Sequence, residues 1–328
     1  MSRLTCAVFL FTAVAAANTT AVSGQAYPTK PIRMIVPFAP GGGTDNLARM
    51  LSKKMSETFE QSVVVDNRGG AGGIVGTELA AKAAADGHTV LMTSSAHTII
   101  PATYGKIPYE PLKDFAPISL LTAQPYLMVV HPAVPADSVK DFIALAKSRP
   151  GQLNYASGSS GTAPHLAGEL LKSSTGIDLV HVPYKGGGPA VIAIVSGEVA
   201  MLFSSLPTTL PQVRAGKLKM LAISSAKRSA VLPSLPTLAE SGVPDFEVIN
   251  WYGLLAPART PRPIIDKLHD TTVRLLRAPD MLARLTSDGT DAVGETPEHF
   301  RDYLAMELAK WDKLGRAVGL RADQQKLP

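Results

Sequence analysis

The pattern of apolar and polar positions alternates between two periods along most of the chain. Short runs rich in β-branched residues predict strands at 32–36, 63–66, 89–93, 127–131, 153–157, 179–183, 199–203 and 219–224. Between them, apolar residues spaced three and four apart predict helices at 46–59, 73–84, 139–148, 164–174, 189–196 and 206–215. This alternation indicates an α/β fold with mostly parallel sheets that are covered on both faces.

The last third of the chain has a different pattern. One further strand is predicted at 246–256, followed by helices at 263–276, 281–287 and 297–318. Because 328 residues suggest two domains, we expect two α/β lobes, with the terminal helices returning to the first lobe. The chain would cross between the lobes near 121–128 and near 250–253.

The N-terminal segment has the features of a secretory signal. Arg3 precedes an apolar run at 4–17 that is too short to span a membrane, and small residues offer cleavage sites. We predict a signal peptide over residues 1–26, cleaved after Ala26. Cys6, the only cysteine, lies inside it, so the mature chain would have no disulfide, thiolate metal site or cysteine nucleophile.

The charged residues exclude one class of partner. The formal net charge is +5, the basic residues are scattered along the chain, and aromatic residues make up only 6%. A nucleic-acid-binding protein needs a basic stripe or patch, which this sequence lacks. We therefore expect no nucleic-acid partner.

A glycine-rich segment follows the first predicted strand. Residues 37–45 read PFAPGGGTD and lead into the helix predicted at 46–59. Glycine lets a ligand approach the backbone closely, and the amides at a helix N-terminus favour an anion. We expect a site for a carboxylate, phosphate or similar group here, with a tight turn that binds nothing as the alternative.

The glycine-rich segments do not match the known nucleotide-binding motifs. Thr44 and Asp45 follow Gly43, where a phosphate-binding loop carries lysine and a hydroxyl residue, and Asn46 stands in place of the third glycine of a dinucleotide fingerprint. A second cluster at 69–76, GGAGGIVG, has neither spacing. No nucleotide cofactor is expected.

A second polar loop lies in the other predicted lobe. Residues 157–165 read SGSSGTAPH and join a predicted strand to a predicted helix, so hydroxyls and free amides form a polar cradle. A ligand held between this loop and the first would bridge the lobes at the carboxyl ends of their strands. Simple helix capping is the alternative. A third polar turn at 93–97, TSSAH, either faces the same cleft or only caps a helix.

The sequence gives little support to catalysis or metal binding. No G-x-S-x-G occurs, and the S-x-x-K at 224–227 lacks the motifs that accompany it in β-lactamases. His165 and His181 are available as bases, but no aspartate is placed to complete a triad. His165 and Glu169 share a helix face, yet two candidate ligands fall short of a metal site. We expect no catalytic, metal or cofactor site, and keep an exported hydrolase using a loop serine as the alternative.

An ordered set of segments carries a family resemblance. The segments are YPTKPI at 27–32, VPFAPGGGTD at 36–45, VDNRGGAGG at 65–73, NYAS at 154–157, HLAGE at 165–169, HVPYKG at 181–186, PTLAESG at 236–242 and WYGLLAP at 251–257. In this order they resemble the Bug/TctC family, the extracytoplasmic solute receptors of tripartite tricarboxylate transporters.

The resemblance implies a type II periplasmic binding protein, with two α/β lobes joined by a hinge that close on a carboxylate held partly through water. Lobe 1 would comprise 27–127 and 252–328, and lobe 2 would comprise 128–251. The predicted ligand-binding residues are Phe38, Ala39, Gly42, Gly43, Thr44, Asp45, Ser94, Ser95, Ser157, Gly158, Ser159, Thr162, His165 and Ser204. We expect Asp45 to orient the amides of its loop rather than to touch the ligand.

One position departs from the family pattern. Where many relatives read MFDN, this chain has Leu202, Phe203, Ser204 and Ser205, so a carboxylate is lost. This argues against an amino-bearing ligand and favours a more anionic or an aromatic acid. The expected partners are the carboxylate ligand and membrane permease subunits, with the receptor itself a monomer in the periplasm. A ligand-sensing partner of a membrane sensor protein stays a further alternative.

Overall fold

The computed structural model describes residues 27–104, 106–184, 187–229 and 231–319. The predicted signal peptide over 1–26 lies outside these residues. Within the described ranges, the helices are either too short or too polar to cross a lipid bilayer.

Strands and helices alternate from residue 32 onward. The first part contains β1 (Ile32–Val36), α1 (Gly43–Phe59), β2 (Val63–Asn67), a 3-10 turn (Ala71–Gly73), α2 (Ile74–Ala81), β3 (Thr89–Ser94) and α3 (Ala96–Tyr104). The middle contains β4 (Phe115–Val130), α4 (Val139–Ser148), β5 (Leu153–Ser157), α5 (Ala163–Thr175), β6 (Leu179–Pro183), α6 (Gly187–Val195), β7 (Met201–Ser205), α7 (Leu206–Arg214) and β8 (Lys219–Ile223). The last part contains β9 (Ile249–Pro257), α8 (Arg262–Leu276), α9 (Pro279–Ser287), β10 (Asp291–Ala292) and α10 (Pro297–Ala317).

The strands form two sheets that share one long strand. In the first sheet the order is β2-β1-β3-β9-β4, with β1 parallel to both of its neighbours and β9 antiparallel to β3 and β4. In the second sheet the order is β4-β7-β5-β6, with β5 parallel to β6 and β7. Up to Pro125, β4 pairs with β9, and from Tyr126 onward it pairs with β7 and β8. The predicted α/β fold with two lobes is confirmed. The prediction of mostly parallel sheets is wrong, because β9 and the long strand β4 run antiparallel to the strands they pair with.

The sequence pattern missed most of β4 and all of α3. We predicted a strand only at 127–131, whereas β4 begins at Phe115 and contains Pro117 and Pro125. Proline disfavours an interior strand because it cannot donate to the ladder, and the pairing of β4 with β9 shifts register next to Pro117. Helix α3 was predicted only as a polar turn, and Pro101 lies in its interior.

The apolar core of the second sheet also receives residues from other parts of the chain. Trp311 and Leu314 of α10 and Ile99 and Ala102 of α3 are buried in the same cluster as the side chains of β4, β5 and β7. Helices α3 and α10 therefore pack across the junction between the two sheets.

A buried serine links the two segments that pass between the sheets. The Ser224 hydroxyl donates to the carbonyl oxygen of Val248 at 2.5 Å and accepts from the backbone N–H of Tyr126 at 2.8 Å. The backbone of Ser224 also hydrogen-bonds to both of these residues. Because these contacts tie β4 to the chain entering β9, the junction is built from paired extended segments.

Candidate functional site

Two adjoining cavities lie between the sheets, at the carboxyl ends of their parallel strands. The serine chamber has a volume of about 370 Å³, and we define it by Phe38, Ser94, Ser95, Tyr126, Ser159 and Thr162. The arginine chamber has a volume of about 700 Å³, and we define it by Gly42, Gly43, Thr122, Ser205, Thr208 and Arg284. Asn250 lines both cavities, so the two chambers meet over the start of β9.

The N-terminus of α1 opens onto the arginine chamber. Its N-cap residue is Gly42, and no side chain caps the helix there. The first amides of a helix have no partner inside the helix, so these N–H groups are available to an anion. A Cβ at Gly43 would collide with the hydroxyl of Tyr252, which explains why glycine occupies this position.

Asp45 holds the loop before α1 in place. Its Oδ2 accepts hydrogen bonds from the N–H of Gly41 and from Nε of Arg49, both at 2.9 Å, and its Oδ1 accepts from Nδ2 of Asn67 at 3.0 Å. Burial acts to raise the pKa of Asp45, but the bonds from Arg49, Gly41 and Asn67 hold that pKa below its usual value. The carboxylate is therefore charged and engaged by its own loop.

Two buried serines form one wall of the serine chamber. Ser94 is the last residue of β3, and its Oγ accepts a hydrogen bond from the N–H of Ala96 at 3.3 Å. The N–H of Ser95 donates to the backbone carbonyl oxygen of Trp251 at 3.1 Å. Tyr126 lies on the same chamber wall, and burial raises the pKa of its phenol, so the hydroxyl stays protonated. The wall thus presents neutral hydroxyl groups at the start of α3.

The opposite wall is the loop before α5, which two stacked histidines support from behind. The Ser157 hydroxyl donates to the carbonyl oxygen of Ser159 at 2.9 Å and lies 2.6 Å from Nε2 of His181. Nδ1 of His165 accepts from the N–H of Gly161 at 3.0 Å, and the two imidazole rings stack with centroids 4.0 Å apart.

Both histidines behind this loop are neutral. Burial lowers the pKa of His165, and it lowers the pKa of His181 to about 3. A neutral ring leaves Nδ1 of His165 able to accept the loop N–H of Gly161. The histidines therefore shape the loop, and residues 159–164 of the loop line the chamber.

The structure distributes the predicted binding residues over three locations. Five of them line the serine chamber: Phe38, Ser94, Ser95, Ser159 and Thr162. Two line the arginine chamber: Gly42 and Gly43. The others line neither cavity and lie in or beside the same loops and strand ends: Ala39, Thr44, Asp45, Ser157, Gly158, His165 and Ser204.

The sequence pattern did not identify several of the lining residues individually. Asn250 and Tyr126 lie where the chain passes between the sheets, and only the predicted crossings pointed to that region. Arg284 comes from α9, whose pattern showed an ordinary amphipathic helix. In the described part of the chain, no group of three or more His, Cys, Asp or Glu residues gathers as metal ligands.

Comparison with known proteins places the chain in one family. The family described as "Tripartite tricarboxylate transporter family receptor" matches residues 47–320. The chain is 38% identical over 326 residues to Protein BugT of Bordetella pertussis (strain Tohama I), covering 98% of this chain and 99% of that protein.

Two similar structures were solved with an acid bound. R. palustris Rpa4515 with adipate is 35% identical, with a TM-score of 0.79 over 89% of this chain and 98% of that one. MatC (Rpa3494) from Rhodopseudomonas palustris with bound malate is 33% identical, with a TM-score of 0.76 over 88% of this chain and 100% of that one. The resemblance carried by the sequence segments is confirmed. The chain belongs to the tripartite tricarboxylate transporter (TctC, Bug-type) family of periplasmic solute-binding receptors.

Proposed function

We propose that this receptor captures a small dicarboxylate between its two lobes and delivers it unchanged to the membrane permease subunits of a tripartite transporter. One observation carries the proposal: helices that follow strands of both sheets begin at the two chambers. Helices α3 and α5 begin at the serine chamber, and α1, α6 and α7 begin at the arginine chamber. The N-terminus of a helix carries a partial positive charge and amides that have no partner inside the helix, so together these N-termini favour an anionic ligand.

The charges on the chamber walls support the same ligand class. Neither Asp nor Glu is found among the described residues that line the serine chamber, and Asp288 is the one acidic residue on the described wall of the arginine chamber. The two similar structures named above hold adipate and malate, which are both dicarboxylates. A ligand with a carboxylate at each end would place one in each chamber.

The lobes already touch on both sides of the cleft. Gly161, in the loop before α5, lies against the side chain of Thr103 in α3, and Gly289 lies against Leu206 at the start of α7. We propose the predicted limits for the lobes, 27–127 with 252–328 and 128–251. They are supported by the change of pairing partner in β4 between Pro125 and Tyr126. Opening at this junction would release the ligand.

The structure favours a binding receptor over the alternative of a serine hydrolase. Ser157 and His181 come closest to a nucleophile and base, but the Ser157 hydroxyl is fully buried and donates to the carbonyl oxygen of Ser159. Among the described residues no carboxylate hydrogen-bonds to the His181 ring, and a pKa of about 3 makes it a poor base near neutral pH. We propose that the chain has no catalytic activity of its own.

Calorimetry with the mature chain, residues 27–328, tests the proposal. Adipate and malate should bind, whereas hexane-1,6-diamine, which matches adipate in length but carries no anion, should not. Mass spectrometry should recover the bound acid unchanged. Binding of the diamine, turnover of the acid, or failure of a series of mono- and dicarboxylic acids to bind would refute the proposed function.

Delivery of the ligand to the permease, the oligomeric state and the cellular location are tested by separate measurements. Uptake into vesicles that contain the permease subunits should depend on the added receptor. Light scattering should give the mass of a monomer. The periplasmic fraction of expressing cells should contain a protein that starts at Tyr27, as cleavage after Ala26 requires.

A further inference from the structure

Arg284 is the one Lys, Arg or His side chain among the described residues that line the two chambers. It lies in the last turn of α9, on the side of the arginine chamber that belongs to the first sheet. The polar side chains of the serine chamber are hydroxyls and the carboxamide of Asn250, and all of them are neutral. The two ends of the cleft therefore recognise an anion in different ways.

The guanidinium of Arg284 is only partly engaged. Its Nε donates to Oδ2 of Asp288 at 3.1 Å, which is long for a charge-assisted hydrogen bond, and both side chains are partly exposed. The two terminal nitrogens make no hydrogen bond with the described part of the chain. A guanidinium in this state can still bind a carboxylate through two parallel hydrogen bonds.

A second observation points to a polar ligand atom in the same chamber. Thr122 of β4 lines the arginine chamber, and its fully buried hydroxyl has no hydrogen-bond partner among the described residues. A buried hydroxyl without a partner costs free energy, so such groups are normally satisfied by water or a ligand. In the same chamber, Ser205 at the end of β7 and Thr208 in the first turn of α7 add further hydroxyl groups to the lining.

We propose that Arg284 binds the second carboxylate of the ligand and thereby selects dicarboxylates over monocarboxylates of the same length. The first carboxylate binds in the serine chamber without any cation. Asp288 opposes the selection, because it competes for the guanidinium and repels the ligand. This inference rests on the proposed function. It names the residue by which the proposed carboxylate receptor distinguishes dicarboxylates from monocarboxylates.

Calorimetry with matched pairs of acids tests the inference. The dicarboxylates succinate, glutarate, adipate and pimelate are compared with butyrate, valerate, hexanoate and heptanoate. Arg284→Ala should weaken the best-bound dicarboxylate by about tenfold, the lower end for a charge-assisted hydrogen bond at a partly exposed site, and change its monocarboxylate counterpart by less than about twofold. Asp288→Asn should tighten the dicarboxylate.

The chain offers a matched control for Arg284. Arg316 of α10 makes the same kind of pair with Asp312 four residues away, with Nε and Oδ2 2.8 Å apart, and lines neither chamber. Arg316→Ala should leave both affinities unchanged. Arg284→Lys should give a partial loss, because lysine keeps the charge but not the planar fork.

The possible outcomes distinguish failure of this inference from failure of the proposed receptor function. Equal losses for both acids in Arg284→Ala, or no loss for the dicarboxylate, would overturn the role of Arg284 while the receptor function stands. Wild-type protein that binds monocarboxylates as tightly as dicarboxylates would overturn it too. If no acid binds to the wild type, the proposed function fails first, and the inference fails with it.

Discussion

Replacing Asp45 with asparagine tests whether one carboxylate holds the binding loop of the first lobe. Its oxygens accept hydrogen bonds from Gly41, Arg49 and Asn67. Nδ2 of Asn67 also donates to the carbonyl oxygen of Phe38 at 3.1 Å, so Asp45 connects both ends of the glycine-rich segment through it. We expect Asp45→Asn to destabilise the protein and to weaken ligand binding.

The expected size of the effect follows from these contacts. An asparagine places its NH₂ group against at least one of the three donors, so one hydrogen bond is lost and the others lose the charge of their acceptor. Hydrogen bonds to a charged group contribute about 1.5–3 kcal/mol each. Arg49 is half exposed, so its ion pair adds little. We expect the free energy of unfolding to fall by about 2–4 kcal/mol.

Urea unfolding at neutral pH, followed by tryptophan fluorescence, measures this change, because Trp251 and Trp311 are both fully buried. The control is Asp266→Asn. Asp266 accepts from Nε of Arg262 in an exposed pair, so its loss should stay within about 0.5 kcal/mol. An Asp45→Asn protein with the stability and affinity of the wild type would refute this role for Asp45.

The pH dependence gives an independent check on Asp45. Although burial acts to raise its pKa, the hydrogen bonds hold it lower in the folded chain than in the unfolded chain. The stabilisation is therefore complete at neutral pH and is lost as the pH falls below the ordinary carboxyl value of 3.8. The unfolding free energies of wild type and Asp45→Asn should converge in acid, and a constant difference would contradict the argument.

Three further predictions concern the core, the junction and a buried histidine. Gly168→Ala should lower thermal stability by about 1–3 kcal/mol, since the added Cβ would overlap the ring of Tyr155, and an unchanged melting temperature would contradict it. Ser224→Ala should cost about 1–3 kcal/mol in urea unfolding and speed hydrogen exchange at the Tyr126 amide, which loses its side-chain acceptor. Burial lowers the pKa of His97 to about 4, so this group should reduce stability as the pH falls from 6.5. His97 should contribute about 1.4 kcal/mol per pH unit to this slope, and the slope should be smaller by that amount in His97→Phe, where the contributions of His165 and His181 are kept.

The sequence located the polar loops because their signals are local. A β-branched run, a cluster of glycine or hydroxyl residues and an amphipathic run specify strand, turn and helix within about twenty residues. Chain positions 41–43 and 157–162 therefore followed from the pattern, and both segments border the chambers or support their walls. The role expected for Asp45 in its own loop was local in the same sense, since Gly41 and Arg49 lie within four residues of it.

Contacts between distant parts of the chain were decided only by the tertiary structure. The continuous course of β4 through Pro117 and Pro125 depends on partners that follow much later in the chain, and these override the local preference against proline. Arg284 reaches the cleft because α9 packs beside α1 and β10 pairs with β4. The sequence of α9 by itself does not indicate that this helix packs beside α1. A helix or strand pattern reports what a segment buries, whereas a binding site depends on which segments the folded chain brings together.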